Sequence, residues 1–72
     1  MSQIELLAEV ALLREIPARG LVRGQVGTVV ETLSGDAFEV EFSDDHGRTY
    51  STAAVRSSDL VRLHRSPLEQ VA

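Results

Sequence analysis

The segment Ala37–Ser43 (AFEVEFS) constrains this chain more than any other. Phe38, Val40 and Phe42 alternate strictly with Glu39, Glu41 and Ser43. A period of two belongs to a strand with one face in a core and the other in water. Asp45-His46-Gly47 follows at once and fits a three-residue hairpin loop, with Gly47 supplying the positive φ. That loop sets Phe42 opposite Tyr50 and Val40 opposite Thr52, so Phe38, Val40, Phe42 and Tyr50 are expected in the core.

The rest of the chain reads as short strands broken by frequent turn residues. Val10–Ile16 is expected as a first strand ended by Pro17, although residues 4–13 (IELLAEVALL) also fit a short helical segment. Residues 17–24 (PARGLVRG) form a loop, and Gln25–Leu33 (QVGTVVETL) is a Val- and Thr-rich strand. Gly27 within it predicts a bulge or sharp bend. After a Ser34-Gly35-Asp36 turn, the remaining pieces are Ala37–Ser43, a strand over Arg48–Val55, a 3₁₀ turn at Ser57–Leu60 and a last strand at Leu60–His64. The fold expected is all-β: a small five-stranded SH3-like barrel with a 3₁₀ turn before the last strand. Residues 1–64 form the domain and 65–72 a C-terminal tail.

Seventy-two residues make a single domain that hides only ~60% of its unfolded surface. There is no cysteine, so no disulfide framework reinforces it. The N-terminal stretch has no basic region leading into an apolar run, and no stretch reaches the ~20 apolar residues of a membrane span, so the expected location is cytoplasmic.

Charge is distributed unevenly. Residues 31–45 hold Glu31, Asp36, Glu39, Glu41, Asp44 and Asp45 with no arginine or lysine. Against a net charge of −4 for the whole chain, that block of −6 leaves +2 for everything else. Arg14, Arg19 and Arg23 precede it. The block reads either as ordinary solvated surface or as one pole of a bipolar surface whose acidic hairpin attracts a basic partner.

Several chemistries are disfavoured. Gly20, Gly24 and Gly27 do not make a phosphate loop, because they open a strand rather than a helix and the chain has no lysine. Asp44-Asp45-His46 offers adjacent carboxylates at a hairpin tip, and His64 lies on another strand, whereas zinc needs three or four convergent ligands. The serines show no Ser-His-Asp pattern. No enzyme, cofactor or metal is expected.

Residues 21–30 (LVRGQVGTVV) resemble a KOW-type element of ribosomal and transcription proteins and the SH3-like part of nitrile hydratase β subunits. A wider likeness runs from Ile4 to His64. It rests on Leu6–Leu12, Pro17 and Gly20, Arg23–Glu31 (RGQVGTVVE), Phe38–Phe42 (FEVEF) and Gly47–Tyr50 (GRTY). Together these resemble a family of short, uncharacterised bacterial proteins classed as a domain of unknown function. The resemblance departs at Ala8, where an acidic residue is commoner, and at Ala18, where Glu is. It implies an SH3-like barrel and brings no site with it. Members tend to be encoded beside other small proteins, which suits the neutralising half of a two-protein system.

The function expected is a protein–protein interaction module, antitoxin- or immunity-like, whose partner is a basic protein. Glu31, Glu39, Glu41, Asp44 and Asp45 are the candidate partner-binding residues. The alternative is a KOW-like nucleic-acid-associated accessory using Arg14, Arg19 and Arg23, which the acidic composition disfavours. No membrane is expected as a partner, and a homo-oligomer stays open.

Overall fold

The computed structural model describes residues 4–44 and 46–64. Five antiparallel strands form one sheet: β1 (Glu9–Leu12), β2 (Val26–Leu33), β3 (Ala37–Ser43), β4 (Thr49–Arg56) and β5 (Leu60–Arg62). Their order is β4-β3-β2-β1-β5, so β4 and β5 are the edges. A 3₁₀ turn at Ser57–Asp59 precedes β5, and another at Pro17–Arg19 sits in the β1–β2 loop. Among the described residues there is no α-helix, and none long and apolar enough to cross a membrane.

The alternation in β3 is realised as expected. Val40 and Phe42 are completely buried and Phe38 nearly so, while Glu39 and Glu41 stand on the other face. Val10 and Leu12 of β1, Val29 of β2, Ala53 and Val55 of β4, and Leu60 of β5 complete the core with Leu21 from the long loop. At Gly27 the neighbouring strand β3 packs tightly against β2. A Cβ there would lie 2.7 Å from Val40 Cγ1, 2.8 Å from the Glu41 carbonyl oxygen and 2.8 Å from Phe42 Cδ1. Gly27 therefore answers a close approach of β3; of the bulge or sharp bend expected there, the bulge lies elsewhere.

The irregularity in β2 lies instead at Val30. Val29 faces Val40 and Glu31 faces Glu39, so Val30 is the extra residue. A second one lies in β4. The hairpin loop has the expected length, since the Asp44 N–H donates to the Arg48 carbonyl (2.9 Å) and Ser43 faces Thr49. Gly47 has φ +78°, as the loop requires. However, Phe42 then faces Ser51 and Val40 faces Ala53, which leaves Tyr50 as the extra residue. Tyr50 is 47% exposed and does not belong to the core. The bulge carries it out of the Phe42 row and lets Ser51, Ala53 and Val55 line the inner face.

β1 is shorter than expected. Beyond Leu12 the chain leaves the sheet, and Ile16 and Leu21 pair across the Pro17–Arg19 turn through two backbone hydrogen bonds (2.9 and 3.1 Å). No helix forms over residues 4–13. Leu7 adopts φ +71°, and its N–H donates to the Val29 carbonyl (2.7 Å), which extends the β1–β2 pairing instead. β4 runs to Arg56 and β5 stops at Arg62, with His64 exposed just beyond it.

Candidate functional site

Glu31, Glu39 and Glu41 come together on the outer face of β2 and β3. Val40 and Phe42 point inward, so Glu39 and Glu41 must point outward, two residues apart on β3. The Val30 bulge brings Glu31 onto the same face. Without it, Val30 would continue the Val29–Val40 register and face Glu39. With it, Glu31 stands directly opposite Glu39, a position where side chains are ~5 Å apart at Cβ. Glu41 faces Thr28. None of the three carboxylates makes an ion pair among the described residues.

Asp44 also shapes the hairpin tip. Its Oδ1 accepts the backbone N–H of His46 (2.9 Å) and of Arg48 (3.0 Å), and its Oδ2 lies 3.7 Å from Arg48 Nε. These contacts hold the loop between β3 and β4 in shape. Asp45 lies outside the described residues. Asp36, the remaining acid of the block, accepts the Ser57 hydroxyl at Oδ2 (2.8 Å) and the Ser57 N–H at its carbonyl (2.9 Å). It ties the β2–β3 turn to the second 3₁₀ turn. The five described acids of the block thus split into three carboxylates on one sheet face and two that hold turns.

The arginine loop is less coherent. Arg14 lies 3.7 Å from Asp59, whereas Arg19 and Arg23 are exposed. Gln25 turns its side chain back, its Oε1 accepting the Val22 N–H (2.9 Å). The glycine-rich element is therefore organised around its own backbone. Among the described residues no three histidine or carboxylate side chains are placed to hold a metal ion.

One feature was not legible beforehand. An open groove of about 640 Å³ runs between Arg14–Ala18 and Ala54–Arg56, with Ser58 and Asp59 at one end. It meets β4 only at its last three residues, at a sheet edge that only strand pairing could define. The uncharged run Thr49–Val55 between two arginines was its one trace in the sequence.

No curated protein and no solved structure matches the chain. A family model does match, over residues 6–62, a span holding all five strands and the three outward glutamates. By that match the chain belongs to the family described as Domain of unknown function (DUF4926).

Proposed function

We propose that this protein is a protein–protein interaction module, antitoxin- or immunity-like, that binds a basic partner without catalysing a reaction. The observation that supports this is the direct pairing of Glu31 with Glu39, with Glu41 further along the same face. Like charges directly opposite each other destabilise a sheet. A small domain that keeps such a pair gives up stability for an exposed negative surface, which steers basic partners toward it. The SH3-like barrel, with β4 and β5 drawn toward each other around the core, is the architecture we propose for that surface.

The nucleic-acid reading has support of its own in Tyr50, an exposed aromatic of the kind on which bases stack. It sits on the β3–β4 hairpin, whereas Arg19 and Arg23 belong to the β1–β2 loop. The test is a pull-down from the native cell with and without nuclease, repeated with two double variants. Glu39→Lys with Glu41→Lys is expected to lose the partner while staying folded and at least as stable as the parent, since it also relieves the Glu31–Glu39 repulsion. Partner binding that survives this change, but is abolished by nuclease or by Arg19→Glu with Arg23→Glu, would put the nucleic-acid reading first.

A further inference from the structure

We propose that the outer edge of β4 accepts an extended segment of the partner as a sixth strand, and that this segment carries two basic residues two positions apart. The inference rests on the reading of the acidic face just given, and names how the partner engages it.

The edge is open. β4 pairs with β3 on one side only, and among the described residues no backbone hydrogen bond reaches its other side. Every second residue of this eight-residue strand therefore turns its N–H and C=O outward. Such an edge is a template for strand addition, and proteins commonly guard it with charge, proline or a covering element. From Thr49 to Val55 β4 has neither charge nor proline. The Pro17–Arg19 turn lies near its C-terminal end, across the groove from Ala54–Arg56.

Charge selects the occupant. On the outer face, Thr52 lies beside Glu41 and Ala54 beside Glu39. An added strand would be two strand spacings from β3, roughly 10 Å. Only the short side chains of Thr52 and Ala54 lie between. A lysine or arginine on the added strand can lay its apolar stem over them and bring its charge to Glu41 or Glu39. Two such residues at alternate positions match the two glutamates. Past Ala54 the groove is lined by charges of both signs, Arg56 and Glu15 with Arg14 paired to Asp59, so the outward glutamates of β3 are what select the segment's basic pair.

A short synthetic peptide alternating lysine and valine is the probe, with binding followed by backbone amide NMR at low and moderate salt. It is expected to bind, to weaken as salt rises, and to protect the outward amides of β4 from hydrogen exchange. A glutamate–valine peptide and a lysine–valine peptide N-methylated along one edge are expected not to bind. Glu39→Lys with Glu41→Lys should weaken binding at least ~10-fold. Thr52→Lys, which fills the path to Glu41 at a strand exterior, should do the same if the double variant folds poorly. Equal binding of the N-methylated peptide would overturn strand addition and leave recognition by the acidic face standing. Equal binding by the folded double variant, or by the glutamate peptide, would overturn both. No binding of the lysine peptide would overturn this inference alone, since the native partner tests the other.

Discussion

Gly27 of β2 and Phe42 of β3 pack against each other, and each fixes what the other can be. A methyl group on Gly27 would press on the Glu41 carbonyl and on two buried side chains at under 3 Å. The carbonyl belongs to a paired strand and cannot swing aside. Gly27→Ala is therefore expected to cost ~1–3 kcal/mol in denaturant unfolding, as overpacking does. Phe42→Ala opens a cavity at the same place and should cost ~3–5 kcal/mol, enough to unfold so small a domain. Tyr50→Ser is the contrasting change. With Tyr50 half-exposed on a bulge, its loss should stay within roughly 0.5 kcal/mol. A Tyr50→Ser variant that melts as poorly as Phe42→Ala would place the ring inside after all. Phe42 and Tyr50 look alike in the sequence because alternation reports facing direction only while the ladder is regular. One extra residue after the hairpin reverses the face, and no residue type marks it.

At the scale of the element, the β3–β4 hairpin depends on Asp44. One carboxylate oxygen satisfies two backbone N–H groups of the tip, and Gly47 takes the positive φ that closes it. Asp44→Ala leaves both donors to water and is expected to destabilise the protein by ~1 kcal/mol. Asp44→Asn keeps an acceptor oxygen and should be nearly neutral. Equal loss in the two variants would point to the Arg48 ion pair instead of the turn. Loop length and turn residues were readable from Asp44–Gly47 alone, because turn chemistry is local. The same holds for the 3₁₀ turn at Ser57–Asp59 and for the limits of β3. The end of β1 was not readable. Leu13–Ile16 are apolar enough for a strand, but after Leu12 the chain turns off to build the Ile16–Leu21 bridge. Which residues of a strand find a partner depends on the rest of the sheet.

For the molecule as a whole, the sheet order turns a run of acids in the sequence into a surface with a cost. That Glu39 and Glu41 face outward follows from alternation, but that Glu31 joins them depends on the Val30 bulge, and that β4 lies open beside them depends on topology. Neither leaves a local mark. If Glu31 is kept for binding, removing its charge should improve the fold and harm the function. Glu31→Lys replaces a like-charged pair with an opposite one at directly facing positions. It is expected to raise stability by ~0.5–1 kcal/mol at low salt. The gain should shrink as salt screens the face. The same variant should bind a basic partner more weakly, chiefly through slower association. Sites that trade stability for activity behave in this way. Thermal melts and partner-binding kinetics of the parent and of Glu31→Lys, at two ionic strengths, measure both halves. A variant that is more stable and binds as fast as the parent would show that the Glu31–Glu39 repulsion serves no partner. The bulge at Val30 would then serve only the packing of β2 against β3, and the binding surface would have to be sought at the β4 edge and its groove.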